Sequence, residues 1–416
     1  MLNDIEIRNF KSLKHLKYKC AKLNLLTGLN GSGKSSFIQS LKFIKAFAKE
    51  FKGRDFMTIG GTVNLYDDWL QIGTYRDMLY CYVGTKKSQR VASIKVTAHE
   101  TMLPVSLSIE PDVGSGRNYM DYAGAFVRCE QAMRMNFNKK WRDVSREEML
   151  SDPQFTAGRE LLDEALGNIS ITNYLSADRG SPHSTHSLSS EWNMNLGADG
   201  SKAVSFLSNL WGLLLDPWAC HPDCKSELLI DQIDAWLNVV SPGAHVDFKK
   251  IPELSTVALS YSYGTSRNAP KFRPQNVGFG LSYILPMLIV LLTAHPGESI
   301  VLENPEAHLH PRGQAEIGKL LARVAAAGIQ LFVETHSDHV INGIRVAVKD
   351  KMIDPADVNI AFFERGEHKV SDETNVPVTE IYSTERDIKI DHKGSLSEYP
   401  DGFLDEWNNQ LMELMR

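Results

Sequence analysis

The stretch Gly28-Leu29-Asn30-Gly31-Ser32-Gly33-Lys34-Ser35-Ser36 decides how this chain is read. It has the spacing GxxxxGK[ST] and lies between the apolar run Leu23-Asn24-Leu25-Leu26-Thr27 and a helix-like stretch from Ser35 to Ala48. A glycine-rich turn at a helix start aims backbone N–H groups at one spot, and the helix dipole adds a field that favours anions. In such a loop Lys34 reaches the β- and γ-phosphates of a nucleotide, and the Ser35 hydroxyl ligates Mg²⁺. The pattern alone could be a chance turn; the strand before it and the helix after it argue for a nucleotide site.

Around this loop the bulk composition sets bounds. At 416 residues the chain has room for two domains, or for one large domain with an insertion. Its 43% hydrophobic and 23% charged content are ordinary for a soluble globular protein. A formal net charge of −6 gives no overall pull toward nucleic acid or anionic membrane. Any DNA or RNA contact would need a local basic patch, such as Lys86-Lys87-Ser88-Gln89-Arg90 or Lys139-Lys140-Trp141-Arg142, and each reads equally as solvated surface. No export-signal pattern opens the chain, so a cytoplasmic location is expected. The apolar run Ile284 to Ala294 contains Pro286 and stops at His295-Pro296, which suits a buried helix and no membrane span. The five cysteines are scattered, as for reduced thiols, and Cys220-His221-Pro222-Asp223-Cys224 lacks a second Cys/His pair at zinc spacing.

Periodicity extends the reading outward. Leu2 to Phe10 alternates like a half-buried strand, and Val91 to Ile109 suggests a β-meander. Residues from about 115 to 240 lean helical, as in 158–166 and 205–211, with a Ser/His/Gly-rich break at 180–190. From His245 strand signals return. They lead into a helix (280–294), a strand (299–303), a helix (313–327), a strand (330–335) and a helix from Asp338, the order of a parallel α/β core.

Two strand ends in that core carry chemistry. The run Ser299-Ile300-Val301-Leu302-Glu303-Asn304-Pro305-Glu306-Ala307-His308-Leu309-His310-Pro311 reads as a buried strand ending in carboxylates. Ligands of parallel sheets collect at such carboxyl ends, where an acid can hold Mg²⁺ beside the loop serine. The run Leu331-Phe332-Val333-Glu334-Thr335-His336-Ser337-Asp338 repeats the design with His336 at its tip.

These segments, with the opening Ile7-Arg8-Asn9-Phe10-Lys11-Ser12, occur in the order that resembles ABC-type ATPases related to SMC and RecF proteins. The nearest likeness is to compact bacterial AAA-family ATPases found with anti-phage and overcoming-lysogenisation-defect (OLD) proteins. It covers roughly residues 1–80 and 255–416. The resemblance implies an α/β fold of ABC-head type, a mixed sheet with a parallel core, an antiparallel β-subdomain and a helical insertion. The intervals are 1–114 for the first half of the head, 115–250 for a mainly helical insertion, 251–380 for the second half and 381–416 for a tail.

It also implies roles. ATP and Mg²⁺ are the cofactors, with Asn30, Gly31, Ser32, Gly33, Lys34, Ser35, Ser36 and Lys11 around the nucleotide and Ser35 and Glu303 at the metal. His336 takes the place of a switch histidine that senses the γ-phosphate. Gln71 is a candidate for the Q-loop glutamine. Asn276-Val277-Gly278-Phe279-Gly280-Leu281-Ser282 looks like a signature segment that reaches the nucleotide of a head-to-tail partner through Gly278 and Gly280, or else is a tight turn before a core helix. In Tyr174-Leu175-Ser176-Ala177-Asp178-Arg179-Gly180, Arg179 either points at phosphate or pairs with Asp178 or another surface acid.

Two departures stand out. Where such ATPases carry a water-activating glutamate, this chain has Asn304, an amide that positions water but accepts no proton; Glu306 is the candidate substitute. Gly278 stands where many signatures have serine, with Ser282 as possible compensation. Slow hydrolysis is therefore expected. Glu306, His308 and His310 also read as metal-capable, without further ligands at suitable spacing. The Pro400-Asp401-Gly402 turn leads into an amphipathic helix, expected to dock on the head or, alternatively, to offer a partner surface. After His336 no Toprim-like acidic cluster follows, and Asp387-Ile388-Lys389-Ile390-Asp391 suits an edge strand. The resemblance implies a homodimer or higher homo-oligomer and an effector protein, a nuclease or toxin from a neighbouring gene in anti-phage defence. The alternative is a DNA-binding repair or maintenance ATPase acting without an effector.

Overall fold

The computed structural model describes residues 1–51, 60–65, 69–81, 92–98, 104–111, 122–129, 171–189, 196–264, 269–371 and 377–415. Both basic runs and the helix expected at 158–166 lie outside these residues. In chain order the first elements are β1 (Leu2–Phe10), β2 (Leu13–Lys19), β3 (Leu23–Gly28), α1 (Lys34–Phe51), β4 (Gly60–Asn64), α2 (Tyr75–Met78), β5 (Ala92–Ala98), β6 (Pro104–Pro111) and β7 (Tyr122–Cys129). Then come β8 (Ile171–Leu175), β9 (Thr185–Ser187), α3 (Ala203–Leu210), α4 (Leu229–Val240), β10 (Ala244–Ile251), β11 (Thr256–Tyr263) and β12 (Lys271–Phe272). The last are α5 (Phe279–Leu292), β13 (Ser299–Glu303), α6 (Pro311–Ala326), β14 (Gln330–Glu334), α7 (Asp338–Lys349), β15 (Val358–Ser371), β16 (Pro377–Ile388) and α8 (Glu406–Leu414).

The chain forms two compact units, one of Met1–Cys20, Gly28–Ile171 and Phe362–Arg386, the other of Ala21–Thr27, Thr172–Ala361 and Asp387–Arg416. In the first unit an antiparallel sheet runs β2-β1-β5-β6-β7-β4. Alternation along β1 buries Leu2, Ile5, Ile7 and Phe10, and β2 adds Leu13, Leu16 and Tyr18. The Tyr18 ring lies 4.6 Å from that of Phe37, so the apolar face of α1 joins this core.

In the second unit β3, β14 and β13 are parallel neighbours. Their side chains are buried on both faces, as expected of strands covered by helices. The order of this sheet is β16-β15-β3-β14-β13-β8. Thus β16, which includes Asp387 and Ile388, is an edge strand. A smaller sheet of β10, β11 and β12 also pairs β9 with β11. The run expected to be a buried helix is α5, with every residue from Ile284 to Leu292 buried. A parallel α/β core and an antiparallel sheet are thus both present, as expected from the sequence. The interval 115–250 holds α3 and α4 but also β7, β8, β9 and β10. Ile171-Thr172-Asn173-Tyr174-Leu175 has four of its five residues buried, on both faces, so it lacks the alternation that betrays a strand.

The tail is anchored by Phe403, 2% exposed. Beyond it the apolar side chains of α8 are not docked: Trp407, Leu411, Met412 and Leu414 are exposed. One nine-residue helix offers too little area to bury both its own stripe and the turn that precedes it.

The helices α6 and α7 cross at two glycines. A Cβ at Gly318 would overlap the Val340 carbonyl oxygen, and one at Gly343 would overlap that of Ala315. Both clashes are with backbone, which cannot swing aside. Gly343→Ala should therefore destabilise the protein by about 2 kcal/mol, read as a shift in urea midpoint, whereas Gly212→Ala, where a Cβ meets nothing within 4 Å and φ is not positive, should cost less than half of that.

Candidate functional site

The phosphate loop lies in the first unit and is built around left-handed glycines. Gly28, Gly31 and Gly33 have φ of 128°, 72° and 116°. Other residues adopt these values only with strain. Lys34 opens α1 with its side chain folded back over the loop: Nζ donates to the carbonyl oxygens of Gly28 at 2.9 Å and Leu29 at 3.0 Å. The Ser32 hydroxyl is buried and has no partner among the described residues. Asn30, Gly31 and Ser35 are exposed, leaving the loop open on one side. Ser36 Oγ lies 3.0 Å from Ser12 Oγ, which accepts from Ser383 Oγ at 2.8 Å. A turn with these glycines, a lysine held at its rim and the first-turn N–H groups of an 18-residue helix fits a phosphate chain.

Lys11 and Gln71 are in the same unit. Lys11 sits in a left-handed turn (φ 50°) whose N–H donates to the Met78 carbonyl, and partial burial lowers the pKa of its ammonium group. Gln71 is also left-handed (φ 44°), but its exposed side chain makes no hydrogen bond among the described residues.

The second unit gathers the acids. In the sheet register Glu303 pairs with Glu334, and Glu334 with Leu26, so three strands end level. The Thr335 N–H donates to the Leu26 carbonyl at 3.1 Å and the Asn304 N–H to the Glu334 carbonyl at 2.9 Å. Glu303 is fully engaged: the Tyr174 hydroxyl donates to Oε1 at 2.8 Å and the Ala177 N–H to Oε2 at 3.1 Å. Burial, and then the Glu303 charge, push the Tyr174 phenol well above its usual pKa, which keeps it a donor.

Arg179 makes no ion pair with Asp178 or another acid among the described residues. It is 7% exposed, and its guanidinium donates to the carbonyls of Ser176 (3.1 Å), Tyr283 (3.3 Å) and Glu303. It also lies 4.7 Å from the centre of the Tyr283 ring. Burial lowers its pKa to about 10, and the nearby Tyr283, Glu306 and Glu303 oppose the shift, so it stays charged. Arg179 thus ties β8, the tip of β13 and the first turns of α5 into one block.

Asn304 is left-handed (φ 45°), a conformation asparagine tolerates better than most residues, and its Oδ1 is buried without a partner among the described residues. Glu306 and His336 are brought together: the His336 backbone N–H donates to Glu306 Oε1 at 2.8 Å. The second oxygen of Glu306 has no partner among the described residues. The His336 side chain is exposed. Gln314 braces both loops, donating to the Leu309 carbonyl at 2.8 Å and accepting from Ser337 Oγ at 2.6 Å.

The three metal-capable residues here have separate tasks. His308 packs between the rings of Phe279 (5.7 Å) and Tyr283 (5.0 Å), while His310 Nδ1 caps α6 by accepting from the Arg312 N–H. No cluster of three His, Cys, Asp or Glu suited to a metal occurs among the described residues. The glycine segment before α5 is half in contact: a Cβ at Gly280 would overlap the His308 carbonyl, whereas Gly278 is open and Phe279 is 55% exposed. No side chain caps the α5 N-terminus. Tyr174, Gln314 and Arg365 were not assigned from sequence. Only Tyr174 carried a signal, as a neighbour of Arg179 in the quoted segment.

Three family models match parts of this chain. Residues 1–99 match a family model described as "AAA ATPase domain", and residues 139–342 one described as "AAA domain, putative AbiEii toxin, Type IV TA system". Residues 353–414 match a "Protein of unknown function (DUF3696)" model. No curated protein sequence matches. Among solved structures, an SMC head bound to the C-terminal winged-helix domain of ScpA is 13% identical, at TM-score 0.49 over 92% of this chain and 97% of that one. The SMC head domain of Thermotoga maritima is 10% identical, at TM-score 0.42 over 94% and 99%. A Pyrococcus furiosus Smc head with an extended coiled coil, bound to the C-terminal domain of ScpA, is 12% identical, at TM-score 0.42 over 100% and 99%. Both of the models that match residues 1–99 and 139–342 are described as AAA domains.

The Glu306–His336 contact has a measurable stability consequence. Glu306→Ala should cost about 1–2 kcal/mol by stranding the His336 N–H, while Glu306→Gln, which keeps an acceptor oxygen, should stay within about half of that. Chemical denaturation of both variants checks it.

Proposed function

We propose that this chain is an ATP-dependent molecular switch that closes head-to-tail as a dimer and controls a partner effector. The observation that carries the reading is the level ending of β3, β14 and β13, with β3 running straight into the phosphate loop. In a parallel sheet that edge is where ligands gather. Lys34 and the loop N–H groups would hold the phosphate chain, and Ser35 and Glu303 would hold Mg²⁺. Bound Mg²⁺ would neutralise phosphate charge during hydrolysis. Tyr174 and Ala177 fix the orientation of the Glu303 carboxylate. Asn304 positions water by its amide, and Glu306 takes the proton, a two-residue division of labour that favours slow turnover.

The uncapped α5 N-terminus beside exposed Gly278 and Phe279 supports a role for this segment at a second subunit's nucleotide. The toxin and type IV toxin–antitoxin wording of the matched family model supports an effector in a defence setting. ATP favours closure only through its higher affinity for the closed state.

Titration calorimetry should show Mg·ATP binding by the wild type and a loss of about 100-fold or more in Lys34→Ala, the equivalent of two or more charge-assisted contacts. Glu306→Gln should abolish turnover while retaining ATP-induced dimers in light scattering. Turnover that survives in Glu306→Gln removes Glu306 as the base. Co-purification that recovers no companion protein from the native gene cluster removes the effector role.

A further inference from the structure

Within the first unit, the β15–β16 hairpin belongs to none of the motifs above, yet it lies against the phosphate loop. Ser383 of β16 donates its N–H to the Ser12 carbonyl at 2.8 Å, and its hydroxyl fills the space where a Gly33 Cβ would stand. Arg365 of β15 donates Nε–H to the Gly31 carbonyl at 3.1 Å, and its Nη2 occupies the place of a Gly31 Cβ. The side chain is exposed, and this is its only hydrogen bond among the described residues. The adjacent acid, Glu364, is engaged by Arg386 at 3.0 Å, and no carboxylate pairs with Arg365 among the described residues.

A guanidinium has five N–H donors in a planar fork, so one hydrogen bond leaves most of its capacity unused. Its charge is set on a loop whose buried Ser32 hydroxyl, 1% exposed, is likewise without a partner among the described residues. Neither group finds an acceptor for its remaining donors among the described residues. A phosphate oxygen answers both, and the guanidinium fork matches phosphate better than an ammonium group does. Position along the loop selects the phosphate. The helix N-terminus and the backbone before it take the inner phosphates, whereas Gly31 lies at the exposed middle of the loop, three residues ahead of Lys34.

We propose that Arg365 is a nucleotide-binding residue that contacts the terminal phosphate of ATP held by the loop of its own subunit. The assignment rests on the ATP-binding reading above. It makes Arg365 a discriminator between ATP and ADP, so the hairpin registers the presence of the γ-phosphate.

The test is calorimetry of the full chain with Mg²⁺ and either the slowly hydrolysed analogue ATPγS or ADP. Arg365→Ala should weaken ATPγS about tenfold, the scale of one lost charge-assisted contact, while ADP changes by less than about twofold. Arg365→Lys should recover only part of the loss, because it lacks the fork. Equal weakening of both nucleotides would make Arg365 a brace for the loop and overturn the assignment, as would no weakening of either. Thermal melting confirms that each variant is folded. Lys34→Ala separates the two levels of argument. If it binds like the wild type, or the wild type binds neither nucleotide, the ATP reading falls and the Arg365 assignment with it. If Lys34→Ala loses both nucleotides and Arg365→Ala matches the wild type, only the Arg365 assignment falls.

Discussion

Two backbone hydrogen bonds level the working edge of the sheet: Thr335 N–H to the Leu26 carbonyl, and Asn304 N–H to the Glu334 carbonyl. Each is made just as a strand gives way to a loop. Together they fix where His336 leaves β14 and where Asn304 leaves β13 relative to the end of β3. A slip of one residue would turn Glu303 from one face of the sheet to the other. The polar network of the second unit is arranged on this edge. Tyr174 and Ala177 hold the Glu303 carboxylate, Arg179 holds its carbonyl, and Glu306 reaches across to the next loop.

Arg179 shows how a buried charge can be structural. Among the described residues its guanidinium meets no carboxylate oxygen; it is solvated by three carbonyl dipoles and a tyrosine face. Such a group is costly to bury unless its donors are satisfied. Once satisfied, it rigidifies the elements it joins. Here these are β8, the end of β13 and the start of α5, so a shift of the glycine segment at α5 is mechanically linked to Glu303.

Much of this was legible in the sequence, and the physical reasons for the rest are specific. The phosphate loop announces itself because its glycines, lysine and serine act through local backbone geometry, which spacing encodes. The strands from Ser299 and Gln330 are legible because the apolar runs 300–302 and 331–333 are each followed by a polar tip at the start of a loop. By contrast, β8 is hidden by its burial on both faces. The contact between Glu306 and the His336 N–H joins residues thirty apart through backbone, which no side-chain pattern records. Arg179 reads as a surface or phosphate-facing cation because its carbonyl partners are invisible in a string of letters. Arg365 escapes for the opposite reason. It sits in the strand Val358–Ser371 among Glu364, Gly366 and Glu367, a composition that looks like an ordinary solvated edge.

The left-handed backbone at Asn304 has an evolutionary corollary. Glutamate is one methylene longer than asparagine and carries a charge, so exchanging one for the other at that position is a small chemical change. The main chain there resists it: at φ 45° a longer acidic side chain meets strain that asparagine largely escapes. Seating glutamate there without strain would require the loop from Asn304 to His308, itself left-handed at His308 with φ 61°, to be redrawn together with its contact to Gly280. The path of the polypeptide thus narrows which side chains this position accepts, whatever the codon offers.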